Sequence, residues 1–318
     1  MKKTKLLSLI MAVIMVLSLL PMSVFAAEPA APEVVSQQLN LSDDLTMRFY
    51  VKADSNTRVN ATVAGVTNAY DLSTMTADEN GQYVVPVSLA AAQMTEEITL
   101  DFLQNGENVL QKTYTIRDYA VTILEGNYPA RTKKMVRYML HYGAKAQQYF
   151  DVNTGSLVNV GYEITEEAAL PSEYEAMSVS GSVSGLRFYG ASLVFENKIA
   201  VRYYFTGSVE NVDFGDYDAI SKGDMYYVEV PGINPQDYAK NITLTVTKGE
   251  ETLAVSYSPL NYIIRMSEKG NDELKALLNA LYGYHTAAIE YVKNKEQEGM
   301  FFCKEKRKKR KSFWIDMI

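Results

Sequence analysis

The sequence predicts an α+β protein of two tandem units, each a small antiparallel β-sandwich followed by a helical hairpin. Three observations predict it. The chain aligns with itself, in order, over most of its length. The first part of each aligned stretch alternates apolar and polar residues. The last part carries apolar residues at three- and four-residue steps.

Self-similarity comes first because a missed repeat misreads the fold. QLNLSDDLTMRFYV at 38–51 aligns without a gap to SLVFENKIAVRYYF at 192–205. Tyr83 in QYVVPV then matches Tyr226 in MYYVEV, and Ile98-Thr99-Leu100 recurs as Ile242-Thr243-Leu244. Asn105-Gly106-Glu107 matches Lys248-Gly249-Glu250, Tyr114 to Tyr119 matches Tyr257 to Tyr262, and Tyr142-Gly143 matches Tyr282-Gly283. The offset falls from 154 to 140, which differences in loop length explain. On this alignment the only two histidines, His141 and His285, are not equivalent: one precedes its Tyr-Gly pair and the other follows it by two residues. They are read as helix residues beside a packing motif, not as a shared catalytic pair.

Each unit opens on strands. Leu45, Met47, Phe49 and Val51 alternate with polar residues, as do Ile199, Val201, Tyr203 and Phe205. A period of two places each set on one buried sheet face. Ser42-Asp43-Asp44 and Glu196-Asn197-Lys198 supply polar turns ahead of those strands. A third strand covers Tyr83 to Val87. Two more, Ile98 to Leu103 and Val109 to Tyr114, flank Asn105-Gly106, a pair that tolerates positive φ and so favours a tight hairpin. In the second unit Ile242 to Val246 and Leu253 to Tyr257 flank Lys248-Gly249. That makes at least five strands per unit.

Helical hairpins follow. Thr115 ahead of Ile116-Arg117-Asp118, and Ser258 ahead of Pro259, are N-cap patterns, and Gly126 and Gly270 end those helices. Met135, Val136, Met139, Leu140, Gly143, Ala146 and Phe150 lie on one face of a second helix. Leu274, Leu277, Leu278, Leu281, Ala288, Ile289 and Val292 do the same after an Asn271-Asp272-Glu273 start. Glycine inside a helix costs about 0.5–1 kcal/mol relative to alanine, so Gly143 and Gly283 imply close approach of another element.

The domain boundaries follow. Residues 1–26 read as a signal peptide: Lys2, Lys3 and Lys5, then the apolar run Leu6 to Leu20, then Val24-Phe25-Ala26. Unit 1 occupies 27–150, a linker 151–185, unit 2 186–292, and a basic disordered tail 293–318. SVSGSVSG at 178–185 is the most flexible-looking part of the linker. A short helix is expected over 168–176.

Composition excludes several functions. The formal charge of −7 hides an uneven distribution: the signal carries +3 and residues 304–318 carry +5, leaving −15 on 27–303. An acidic body argues against nucleic acid, which needs a basic face. After the signal no apolar run spans a bilayer, so the mature chain is expected to have no transmembrane segment. Cys303 is the only cysteine, so no internal disulfide can form. Phosphate-cradling loops, nucleophile elbows and zinc-ligand spacings are absent from the sequence. No catalytic residue, cofactor or metal is assigned. The best calcium candidate, Asn211 to Asp218, lacks EF-hand register and reads as an acidic turn. Paired carboxylates make a hydrolase the only enzyme class worth testing.

The ligand-binding candidates are Arg48, Tyr50, Arg202 and Tyr204. They match in the two units and sit on the strand face opposite the apolar set. If solvated, that face offers a cation beside an aromatic platform, suited to acidic sugars or peptide carboxylates. If the helical hairpin covers it, each arginine satisfies buried acceptors instead.

Tyr114-Thr115-Ile116-Arg117-Asp118-Tyr119-Ala120, then Tyr142-Gly143-Ala144 and Ala146-Gln147-Gln148-Tyr149-Phe150, resemble a repeated module of large secreted and cell-surface proteins of anaerobic Gram-positive gut bacteria. The resemblance covers most of 39–292. It implies export and surface display in a Gram-positive bacterium and implies no reaction. The sequence therefore reads as a secreted, non-enzymatic binding or scaffolding protein, with a glycan, a cell-wall polymer or a surface protein as partner. The alternatives are an accessory or catalytic component of a polysaccharide-degrading system, and a truncated fragment of a longer surface protein.

Overall fold

The computed structural model describes residues 31–40, 45–195 and 198–313. These form an α+β structure of fourteen strands in four antiparallel sheets with four longer helices. The expected signal peptide at 1–26 and the turns at 42–44 and 196–197 lie outside the described residues.

The first half contains β1 (Glu33–Asn40), β2 (Thr46–Lys52), β3 (Arg58–Val63), β4 (Val66–Asp71), β5 (Tyr83–Ser88), β6 (Ile98–Gln104) and β7 (Glu107–Tyr114). They pair as two sheets, β1-β2-β5 and β4-β3-β6-β7. Met47, Phe49 and Val51 are fully buried, as the alternation requires, and so are Val59, Ala61, Ile98, Leu100 and Phe102 of the other sheet. The two faces meet: the rings of Phe49 and Tyr114 lie 4.9 Å apart, and the Tyr70 hydroxyl on β4 donates to the Pro86 carbonyl on β5. Asn105 and Gly106 both take positive φ between β6 and β7, the conformation a two-residue hairpin turn demands.

The second half contains β8 (Ser178–Gly181), β9 (Leu186–Phe195), β10 (Ile199–Gly207), β11 (Ile220–Lys222), β12 (Met225–Val230), β13 (Ile242–Lys248) and β14 (Glu251–Tyr257). Its sheets are β11-β12-β10-β9 and β13-β14-β8. Val201, Tyr203 and Phe205 are fully buried, and the Tyr203 hydroxyl crosses to the Ile242 carbonyl at 2.7 Å.

The sheets of the two halves differ in a way that loop length alone does not describe. Thirty residues separate β2 from β5, against seventeen between β10 and β12. The extra length is the β3–β4 hairpin, which covers one edge of β6. On β13 a single bridge between Asp213 and Thr247 occupies the corresponding edge. The other edge of that sheet is closed by β8, paired to β14. Ser178–Gly181 is therefore a paired strand, although its small polar residues suggested flexibility: small side chains suit an exposed edge as well as a linker. The helix expected over 168–176 does not form. Pro171 lacks the backbone N–H that a helix interior needs.

Four helices complete the fold: α1 (Ile116–Glu125), α2 (Ala130–Phe150), α3 (Pro259–Lys269) and α4 (Asp272–Phe313). Their starts are capped where the sequence indicates. Thr115 Oγ1 accepts the Asp118 N–H at 2.9 Å, Ser258 Oγ the Asn261 N–H at 3.1 Å, and Asn271 Oδ1 the Leu274 N–H at 2.9 Å. The α4 backbone continues through 293–313, where a disordered tail was expected from charge. Lys, Arg and Glu are good helix formers, and a run of them favours helix locally. Among the described residues no helix is long and apolar enough to cross a membrane.

Helices α2 and α4 pack on each other and join the halves into one core. Tyr142 and Tyr284 stack nearly parallel, with centroids 6.2 Å apart, and both are buried. Lys134 pairs with Glu290 at 2.5 Å farther along. A Cβ on Gly283 would come within 2.8 Å of the Tyr138 ring, and one on Gly143 within 2.8 Å of Met94 Sδ. The close approach inferred from these glycines is thus present. In burial, Met135, Val136, Met139 and Tyr142 follow the same spacing as Leu277, Leu278, Leu281 and Tyr284, two residues out of step with the Tyr142–Tyr282 sequence match.

Residues 151–177 run along these helices and are held at several points. Val158 N–H donates to the buried Gln147, Arg117 donates to the Val160 carbonyl, Tyr138 to the Glu166 carbonyl and Asn261 to the Glu175 carbonyl.

Candidate ligand-binding face

Strand parity puts Arg202 and Tyr204 on the face of β10 opposite Val201, Tyr203 and Phe205. What they meet there is set by register. Arg202 lies opposite Glu229 on β12 and Ser192 on β9, and Tyr204 lies opposite Tyr227 and Gly190. Arg202 Nε donates to Glu229 Oε2 at 2.6 Å, and its guanidinium carbon sits 4.7 Å from the centroid of the Tyr227 ring. The Tyr204 and Tyr227 rings are 6.2 Å apart, and the Tyr204 hydroxyl is 3.2 Å from Ser192 Oγ. Nothing lies within 4 Å of where a Gly190 Cβ would be, so the space beside Tyr204 is open.

This face is covered at one end and open at the other. Ala200 and Val194 share the outward parity yet are buried, whereas Arg202, Tyr204 and Tyr227 are part-exposed. The Tyr262 ring of α3 lies 6.1 Å from that of Phe195, which pairs with Ile199 on the inward parity. Burial raises the Tyr262 pKa, with Tyr149 and Tyr204 as lesser causes. One end of this face is thus buried, and an aromatic pair with a tethered arginine is part-exposed at the other.

The matching residues of the first half do not build the same arrangement. Arg48 is exposed and lies opposite Pro86 and Gln38; Tyr50 lies opposite Val84 and donates to Gln38 Oε1 at 3.0 Å. Where the second half places Tyr227 and Glu229, the first half places Val84 and Pro86, so Arg48 has neither an aromatic face nor a carboxylate across from it. Tyr227, Glu229 and Ser192 escaped the sequence reading. The signal was available in MYYVEV, where Tyr227 and Glu229 share the outward parity.

Next to this face an open cleft of about 570 Å³ lies between the halves. Its walls include Gln93 and Phe150 from the first half, Val152 of the segment that follows it, and Phe195, Lys198 and Glu229 from the second half. Glu229 thus borders the cleft while holding Arg202. Phe150 is 43% exposed and edge-packed on Tyr149 at 4.9 Å.

His285 and the acidic turn are accounted for by packing. Neutral His285 donates from Nδ1 to the Pro235 carbonyl at 2.6 Å and stacks on Tyr238 at 5.6 Å. His141 is buried, with Nε2 3.6 Å from Glu167. Asp213 accepts the Gly215 N–H and pairs with Thr247 through its backbone, and among the described residues no group of three or more His, Cys, Asp or Glu is placed to hold a metal.

Desolvation lowers the pKa of both histidines. A lowered folded pKa means that the unfolded chain binds more protons, so stability is highest above about pH 6.5 and falls as pH drops from there through the folded values. The melting temperature is expected to decline between pH 7 and 5. In a His141→Gln/His285→Gln variant that decline should flatten, and an unchanged slope would assign it to carboxylates instead.

No family model matches the chain, and no curated protein is detectably similar to it.

Proposed function

We propose that the protein is a secreted, non-enzymatic surface protein that acts as a binding or scaffolding module for glycan or cell-wall polymer. In this reading it consists of two tandem units, each an antiparallel β-sandwich followed by a helical hairpin. The ordered self-similarity of the sequence supports the tandem arrangement, as does the succession of seven strands and two helices in each half. The resemblance to modules of exported Gram-positive surface proteins supports export and display.

The observation that carries the binding role is the part-exposed pair Tyr204 and Tyr227, held by Arg202 and Glu229. Tyrosine offers a rigid apolar face with a polar tip. The Arg202 guanidinium lies against the Tyr227 ring and orients it, and Gly190 leaves room for a ligand ring. Among the described residues only the second half holds this arrangement, so in this reading binding belongs there and not at Arg48 and Tyr50.

Retention of the full chain on insoluble plant and bacterial-wall polysaccharides tests the proposal. The wild type should be retained on at least one of them without releasing soluble sugar. Tyr204→Ala and Tyr227→Ala should elute, and Arg48→Ala should stay bound. Failure to be retained on any polysaccharide overturns the reading, and release of sugar would favour the polysaccharide-degrading alternative.

A further inference from the structure

We propose that the cleft between the halves is a second subsite on the same binding path and that the path takes a linear, neutral oligosaccharide with flat, equatorially linked pyranose rings. This inference rests on the reading of the Tyr204 face as a glycan platform.

Three observations carry it. The first is continuity. Glu229 borders the cleft and also fixes Arg202 beside Tyr227, so platform and cleft share a side chain. A ligand longer than one ring can therefore lie on the tyrosines and reach the cleft.

The second is wall chemistry. The cleft combines aromatic surface from Phe150 and Phe195 with an amide, an ammonium and a carboxylate from Gln93, Lys198 and Glu229. Few, separated polar groups on a mostly apolar wall are what a small-ligand site uses to fix orientation. A pyranose with equatorial hydroxyls has the matching character: its C–H faces are apolar and its rim carries donors and acceptors. About 570 Å³ lies within the range of ligand clefts.

The third is charge. Arg202 and Lys198 share the single Glu229 carboxylate, a local excess of one positive charge, but residues 27–303 as a whole carry −15. Such a body repels polyanions over long range, so an acidic polysaccharide is disfavoured and a neutral one is not.

The cleft also takes walls from both halves. Phe150 ends the long helix of the first half, and Phe195 and Glu229 belong to a sheet of the second. The stacked helices α2 and α4 then have a functional consequence, because they hold the two walls at a fixed spacing.

The test is titration calorimetry on the full chain with cellohexaose, cellobiose and polygalacturonate as probes. Cellohexaose should bind at least about ten-fold tighter than cellobiose, and polygalacturonate should give no heat. Phe150→Ala removes one aromatic wall at a part-exposed position and should leave the melting temperature unchanged. It should weaken cellohexaose about ten-fold, the scale of one aromatic contact. Phe150→Trp, which keeps an aromatic wall, should bind like the wild type. If Tyr204→Ala weakens cellohexaose while Phe150→Ala does not, the cleft proposal fails and the platform stands. If neither variant matters, both fail. Tighter binding of polygalacturonate, or no binding of cellohexaose, overturns the assignment to a neutral, flat ligand.

Discussion

Replacing Tyr142 or Tyr284 by alanine is expected to destabilise the protein by about 3–5 kcal/mol, the scale seen when a large buried aromatic is truncated. Both rings are buried and stack 6.2 Å apart at an angle of 9°. They lie where α2 meets α4, so the cavity left by either substitution opens at the joint between the halves. Neighbouring groups are poorly placed to fill it. Tyr138 already presses on Gly283, Met94 and Val158 on Gly143, and the Tyr238 ring is committed to His285. Domains of ordinary stability hold only about 5–15 kcal/mol in total, so the loss is a large fraction of what is available. Urea denaturation followed by fluorescence would read it. The two alanine variants should also fail to add, because each removes the same stacked pair, with a coupling of about 0.5–1.5 kcal/mol. Tyr142→Phe and Tyr284→Phe keep the rings and should retain most of the stability. A loss below about 1 kcal/mol for both alanine variants would show that the helix contact does not hold the halves together.

The sequence made much of this fold legible, for reasons that differ by element. Strands such as Thr46–Lys52 and Ile199–Gly207 were readable because one face is buried and the other is not, so period-two alternation survives. Helix starts were readable because Thr115, Ser258 and Asn271 act on backbone groups three residues away. What escaped was set by distant partners. Ser178–Gly181 is a strand only because β14 offers it an edge, and its residues are all exposed, so no alternation marks it. The β3–β4 hairpin does alternate, with Val59, Ala61 and Val63 inward around a turn at Ala64-Gly65, but it has no counterpart in the second half and so drops out of a reading built on the repeat. At the candidate site the sequence brought out Arg202 and Tyr204 by their match to Arg48 and Tyr50. It could not separate the two pairs, because the difference lies across the strand register, in Glu229 and Tyr227 against Pro86 and Val84.

Gln147 shows the same limit, and its replacement by leucine is the second change expected to be severe, at about 3–4 kcal/mol. The side chain has no exposed surface, yet both ends of its amide are used. Oε1 accepts the Val158 N–H at 2.8 Å, and Nε2 reaches the Ser156 carbonyl at 3.1 Å, the Asn153 carbonyl at 3.3 Å and Thr95 Oγ1 at 3.2 Å. One amide thus satisfies backbone groups of the turn at 153–158, which cannot pair regularly because the turn belongs to no sheet. Leucine fills similar space but leaves the buried Val158 N–H and at least one carbonyl without a partner, and each such group costs about 1–3 kcal/mol. Gln147→Glu separates the two ends of the amide. Its carboxylate can still accept from Val158, but an ionised group then faces the Asn153 and Ser156 carbonyls. Desolvation and those acceptors favour the protonated form, which donates. Its folded pKa is therefore raised above the unfolded value of about 4.3, so the stability of this variant is best below that value and is lost as pH rises through the folded pKa. Denaturation at pH 4 and pH 7 should show the Glu variant closer to wild type at pH 4, with the Leu variant impaired at both. Limited proteolysis should find the wild-type turn at 153–158 protected and the Leu variant cut there. A Leu variant of wild-type stability, still protected at that turn, would mean that the segment is held by the burial of Val158 and not by the amide.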